Sequence, residues 1–121
     1  MVEAARRPPR QGELVKLDFD PTRGHEQRGY RPALVVSIKA FNRRTGLCWL
    51  VPVTSVQKGL PGHLSLPAGL EIKGYSLLPQ MRSMDWRARH FRTAGVVPAQ
   101  FLDEVNARLC AVLDTETTIV P

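Results

Sequence analysis

The chain has 121 residues, a net charge of +6 and a hydrophobic fraction of 43%, which fits one domain with a real core. No apolar run approaches the ~20 residues of a membrane-spanning helix, and MVEAARRPPR at the N-terminus has no apolar stretch behind its charges, so it does not read as a secretory signal and the cytoplasm is the expected location. Cys48 and Cys110 form no C-x-x-C and no Cys/His cluster of zinc spacing, so both read as buried thiols rather than as metal ligands or a disulfide.

The charge is unevenly spread. Residues 6–92 carry 16 Lys and Arg against six acids, whereas residues 93–121 carry Arg108 against four. The body before the C-terminal segment therefore suits a polyanionic partner, either nucleic acid or an acidic protein segment. Thirteen of the 17 cations are arginine, the better fork for phosphate.

In chain order, residues 1–11 read as a basic, proline-containing flexible tail. Residues 12–113 form a single domain, and 114–121 should fray. From Gly12, GELVKLDFD alternates, with Val15, Leu17 and Phe19 on one face and Leu14, Lys16 and Asp18 on the other, the pattern of a half-buried strand. Pro32–Ile38 is nearly all apolar and β-branched, as in a central strand covered on both faces. Phe41–Gly46 reads as a turn by its Asn and Gly. Leu47–Thr54 is a third strand, with Pro52 predicting an edge or bulge near that end and Trp49 predicted to be core. Ser55–Gly62 is a loop, His63–Pro67 a short strand, Ala68–Gly74 a turn, and Tyr75–Asp85 strand-like but interrupted by Pro79. Trp86–Arg92 is strongly basic with two aromatics. In Val97–Leu113, residues Phe101, Leu102, Val105, Leu109, Val112 and Leu113 recur at three- and four-residue steps, the stripe of an amphipathic helix. Pro98 suits its first turn, and Asp103 and Glu104 lie near its positive end.

The stretch around which the rest is organised is DFDPTRGHEQRGYR, Asp18–Arg31. Its Pro21, Gly24 and Gly29 prevent regular structure. His25, Glu26, Arg28 and Arg31 are gathered between two buried strands, where chemistry usually sits. An acid, an imidazole and a guanidinium within seven residues could move protons beside a phosphate. A solvated hairpin loop is the alternative reading.

Taken together, GELVKLDFDPTRGHEQRGYRPALVVS (Gly12–Ser37), AFNRRTG (Ala40–Gly46) and VPVTS (Val51–Ser55), with weaker support from QMRSMDWRAR (Gln80–Arg89), resemble the MazF/PemK/Kid family of toxins from bacterial toxin–antitoxin modules. The resemblance implies a mainly β (α+β) fold, a small SH3-like barrel of the MazF/CcdB type with a C-terminal helix, working as a homodimer. It implies a metal-free, cofactor-free endoribonuclease that cuts single-stranded RNA, mostly mRNA, at short motifs. It also implies a MazE-like antitoxin partner whose acidic tail blocks the RNA groove, and promoter DNA bound by the toxin–antitoxin complex, mainly through the antitoxin.

Such cleavage uses the substrate's own 2′-hydroxyl as nucleophile. The site must remove its proton, stabilise the charged phosphorane and protonate the departing 5′-oxygen, leaving a 2′,3′-cyclic phosphate and a 5′-hydroxyl. By the resemblance, Arg31 matches the family arginine and can neutralise the phosphorane oxygens. Thr54 matches the family threonine, whose hydroxyl can hold a phosphate oxygen or position the 2′-hydroxyl. Glu26 and His25 are the candidates for base or base-orienter. Ser55, Arg28, Lys58, Arg89 and Gln80 are expected to contact RNA, whereas His63 and His90 have no motif behind them. Trp86 is left open between stacking on a base and packing. One departure matters: where family members often carry an acid before the glutamine, this chain has Pro79 before Gln80, which shifts weight onto Arg31, Glu26 and Thr54. Two other readings compete with the ribonuclease. One is a non-catalytic toxin of the same fold that binds a protein target such as gyrase; the other is a basic nucleic-acid-binding domain without turnover.

Overall fold

The computed structural model describes residues 7–19, 30–56 and 61–116. His25, Glu26, Arg28 and Lys58 fall outside these residues.

Strand β1 (Glu13–Asp18) pairs antiparallel with β2 (Tyr30–Val35), from Leu14↔Leu34 to Asp18↔Tyr30. Helix α1 (Lys39–Thr45) leads from β2 into β3 (Leu47–Thr54), which lies on β2 with Ala33↔Pro52 and Val35↔Leu50 in register. Four shorter strands follow: β4 (His63–Ser65), β5 (Tyr75–Leu77), β6 (Arg82–Asp85) and β7 (Arg92–Val96). The sheet order is β4-β5-β3-β2-β1-β7, and β6 also pairs with β3. Helix α2 (Ala99–Leu113) ends the described fold. The expected mainly β architecture with a C-terminal helix is what forms, although no ladder joins β4 to β7, so the sheet is barrel-like rather than closed.

Both faces of the central strands are dry. Leu14, Leu34, Val51 and Val53 pack with Val105 of α2. On the opposite face Val15, Leu17, Ala33, Val35 and Leu50 pack with Met84 and Trp86. Strand β2 is the doubly covered central strand that its apolar run predicts. Strand β1 is more buried than its alternation suggests, because Leu14 is fully enclosed and Glu13 is only 2% exposed.

Several elements depart from expectation for identifiable reasons. Phe41–Gly46 belongs to α1 rather than to a turn; Gly46, at φ 77°, ends the helix and donates its N–H to the Asn42 carbonyl at 3.0 Å. Strand β3 is central, not an edge. Its far side pairs with β6 up to Leu50 and with β5 from Val53, and Pro52 falls in the gap between them. Strand β7 emerges from TAGV, a segment too short and too glycine-rich to signal a strand alone. Pro98 caps α2 from outside its first turn, which contains no acid. Along α2, Phe101, Leu102, Val105 and Leu109 face the core, but Val112 and Leu113 are 81% and 69% exposed.

Residues 7–11, expected within the flexible tail, make defined contacts. Arg7 pairs with Glu13 at 2.6 Å, Pro9 is buried, and the Pro9 carbonyl accepts the Asn42 side-chain amide at 2.9 Å. Asn42, fully buried, is the hub. Its carbonyl also accepts the Trp86 indole N–H at 2.8 Å, and its side chain bonds to Ser37. Trp86 is therefore core, with its one donor satisfied. Trp49 is the reverse of its expectation: it is 41% exposed and stacks edge-on against Phe41 at 5.5 Å. Cys48 is buried as expected, whereas Cys110 is exposed, and both are free thiols. Neither described helix is long and apolar enough to cross a membrane.

Candidate active site

Strand pairing decides what stands beside Arg31. It lies opposite Leu17 of β1 on one side. On the other, the ladder to β3 ends at Ala33↔Pro52, and two residues further along each strand Arg31 is on the Ala33 face and Thr54 on the Pro52 face. Positions paired across an antiparallel ladder project from the same face. Arg31 and Thr54 therefore share a face at the end of the sheet where β1 ends and β2 begins. Arg31 is exposed and Thr54 half-buried.

The sequence alone does not single out Arg82. It pairs with Leu50, which puts it on the same face as Arg31 and Thr54, and its guanidinium lies 5.4 Å from the centre of the Phe19 ring. The only signal for it is the QMRSMDWRAR segment, in which it is one of three arginines. On this face the described strand positions around Arg31 and Thr54 include the Arg82 guanidinium and the Tyr75 phenol, paired with Thr54, and no carboxylate. That set can bind and neutralise a phosphate, whereas a proton acceptor has to come from outside it.

The backbone around Thr54 is held closely. Thr54 pairs with Tyr75, and the Thr54 hydroxyl accepts the Val56 N–H at 3.2 Å. Gly74, at φ 137°, backs directly onto the Thr54 carbonyl. Ser55 follows and is exposed, while Gln80 is exposed at the end of a single 3-10 turn, Leu78–Gln80. Pro79 sits inside that turn, where a missing N–H costs little, and it packs against Gly62.

Arg89 is half-buried and positioned by the body of the protein. Its guanidinium donates to the Asp18 carbonyl at 2.9 Å, and the Asp18 N–H donates to the Arg89 carbonyl at 3.3 Å. Its Nε is buried without a hydrogen-bond partner among the described residues. Arg89 thus ties the end of β1 to the turn before β7. Tyr30 reinforces this tie, donating its hydroxyl to the His90 carbonyl at 3.2 Å.

Away from this site, two titratable groups are strongly set by their surroundings. Burial pushes the Cys48 thiol up to about 12, with the Asp85 charge adding to the effect. Burial alone would also raise the Glu13 carboxyl. Hydrogen bonds from the Arg7 fork, the Thr93 hydroxyl and the Arg10 N–H, with the Arg7 charge, outweigh it and hold Glu13 below the usual carboxylate range. Among the described residues no group of three His, Cys, Asp or Glu side chains is placed to hold a metal ion.

A family model described as PemK-like, MazF-like toxin of type II toxin–antitoxin system matches residues 10–113. Endoribonuclease toxin MazF of Escherichia coli strain K12 is 42% identical over 101 residues, covering 84% of this chain and 90% of that protein. Endoribonuclease PemK of Escherichia coli is 37% identical over 111 residues, covering 84% and 80%. Among solved structures, a MazE–MazF complex from Deinococcus radiodurans aligns with a TM-score of 0.79 at 40% identity, covering 92% of this chain and all of that one.

Proposed function

Since the chain belongs to the PemK-like, MazF-like toxin family of type II toxin–antitoxin systems, we propose that it is an endoribonuclease that cuts single-stranded mRNA at a short sequence motif without a metal ion. The observation that carries this reading is the convergence of Arg31 and Thr54 on one face at the end of β2 and β3. The substrate 2′-hydroxyl attacks the adjacent phosphorus, losing its proton to the site's base, and the 5′-oxygen leaves with a proton taken from a water held by Arg31. Products are a 2′,3′-cyclic phosphate and a 5′-hydroxyl.

Arg31 neutralises the equatorial oxygens of the phosphorane, a charge that develops only as the bond forms. Arg82 adds a second cation on the same face. The Thr54 hydroxyl holds a phosphate oxygen or the 2′-hydroxyl while its lone pair takes the Val56 N–H. The proton acceptor is Glu26 or His25, which follow β1 in sequence and precede Arg31. Ser55, Gln80, Arg28, Lys58 and Arg89 bind the flanking nucleotides, with Arg89 also fixing the β1 end through Asp18.

In this reading the toxin works as a homodimer. Ile38, Trp49, Val112 and Leu113 are 54%, 41%, 81% and 69% exposed, and a continuous apolar strip including Met81 and Leu109 connects them. Burying such a patch against a second copy removes large side chains from water. A MazE-like antitoxin with an acidic tail covers the cationic face and competes with RNA, and promoter DNA is engaged through that complex.

The test is incubation of purified protein with a long unstructured RNA in EDTA, followed by mapping and typing of the fragment ends. Cuts at one short motif with 2′,3′-cyclic phosphate and 5′-hydroxyl ends are expected. Absence of cleavage by folded, antitoxin-free protein would overturn the reading.

A further inference from the structure

Helix α1 carries a charge arrangement that its own stability does not require. Its seven residues, KAFNRRT, include three cations and no acid. Lys39 and Arg43 are four apart, a like-charge spacing that weakens a helix. The helix dipole favours Arg43 and Arg44 in the last turn, but disfavours Lys39 in the first. All three are exposed and form no ion pair among the described residues. The fold brings a fourth cation to them. Arg87, from the turn after β6, donates to the Arg43 carbonyl at 3.2 Å, lies 3.1 Å from where a Gly46 Cβ would be, and stacks over Trp86 at 5.1 Å. The nearest acid in sequence, Asp85, accepts the N–H groups of Arg87 and Ala88 with one carboxylate oxygen.

This patch lies at the other end of the β2–β3 hairpin from Arg31 and Thr54. The seven steps of β3 between Leu47 and Thr54 put the two regions roughly 20 Å apart. Strand β6, on the flank between them, has Arg82 exposed and pairs on one side only. Guanidiniums spaced along an exposed flank suit the phosphates of an extended single strand better than one compact anion.

We propose that Lys39, Arg43 and Arg44, with Arg87 beside them, form a second phosphate-binding surface that holds single-stranded RNA beyond the nucleotides cut at Arg31 and Thr54. The inference rests on the ribonuclease reading. It predicts that substrate affinity depends on RNA length, because only a strand long enough to run along β6 reaches α1. The surface adds affinity for the backbone and no base selection.

The test uses a triple variant, Lys39→Gln with Arg43→Gln and Arg44→Gln, whose thermal midpoint should match the parent because all three side chains are exposed. The probes are mixed-sequence 2′-O-methyl RNAs of about 5 and about 20 nucleotides, which lack the nucleophile, with binding followed by anisotropy across salt concentrations. For the longer probe the variant should lose on the order of tenfold in affinity, and its salt slope should fall by about 2, at ~0.7 per phosphate contact. Binding of the shorter probe should be unchanged, whereas Arg31→Ala should weaken both. Equal losses on both lengths, or none on either, would overturn the proposal. So would loss of binding to a poly-glutamate peptide with RNA binding intact, which would assign α1 to an acidic protein instead. Failure of the parent to cut ordinary RNA in EDTA would sink the ribonuclease reading, while the length dependence of probe binding would still decide the role of α1.

Discussion

Gly74 lies against the peptide of Thr54: a Cβ on Gly74 would strike the Thr54 carbonyl oxygen and come within 2.8 Å of its carbon. The obstacle is backbone, and φ at Gly74 is 137°, so a side chain there is both crowded and strained. Gly74→Ala should destabilise the fold by about 2 kcal/mol or more and lower cleavage beyond the loss of folded protein, because Thr54 moves. Thermal melts and activity per folded molecule check this.

Arg31 is exposed. Arg31→Ala should leave the melting temperature within a degree or two while cutting RNA cleavage by about 10²–10³, the scale of losing one preorganised charge partner. Arg31→Lys should restore only part of the rate, since an ammonium cannot present a planar fork to two oxygens. Retention of cleavage in Arg31→Ala would remove it from the mechanism.

Glu13 links pH to stability. Its folded-state pKa is depressed, so its stabilisation is complete above the unfolded carboxylate value and disappears as pH falls through the folded one. The parent should therefore lose stability steadily as pH drops below about 4. Glu13→Gln should cost roughly 1–3 kcal/mol at pH 7, because the Arg7 fork loses its charged partner. The variant should also show a flatter acid limb in denaturant titrations at several pH values.

The two thiols should separate chemically. With Cys48 at about 12, on the order of one in ten thousand of these thiols is ionised at pH 8, and the group is also buried. An aromatic disulfide reagent should react with at most one thiol per folded chain, Cys110, and with both after denaturation. Rapid reaction of Cys48 in the native protein would contradict its environment.

Trp49 offers a separate check on the assembly. Trp49→Lys places a charge in the exposed apolar strip, beside Phe41. It should shift sedimentation from dimer to monomer at micromolar concentration and speed modification of Cys110, which lines the same strip. Unchanged sedimentation would mean that a second copy does not cover this face.

What the sequence makes legible here is local. Leu47–Thr54 is a strand because eight successive residues are largely β-branched or bulky and apolar, and β3 has those limits. The α2 stripe is readable because period and length agree. Arg31 is legible beside Pro32 at the start of a central strand, whereas Thr54 is picked out by the resemblance of VPVTS to the family. Where tertiary context outvotes local signal, the expectation fails. AFNRRTG holds turn residues, yet buried Asn42 and the Trp86 indole stabilise it as a helix. Trp49 alternates with apolar neighbours and is still 41% exposed, on one wall of an open groove whose other wall is α2.

By itself, then, the sequence determined the family, the strand-rich class and the basic character, since these are fixed by residue type and short-range patterning. Only the tertiary structure decided that Arg31 and Thr54 share a face, that Arg82 lies on it too, that Arg89 is engaged with Asp18, and that Arg87 meets α1. The physical reason is register. A one-residue slip between β2 and β3 would turn Arg31 and Thr54 to opposite faces without altering either strand's own pattern. That choice is made by burying Ala33, Val35 and Leu50 on one side and Leu34, Val51 and Val53 on the other.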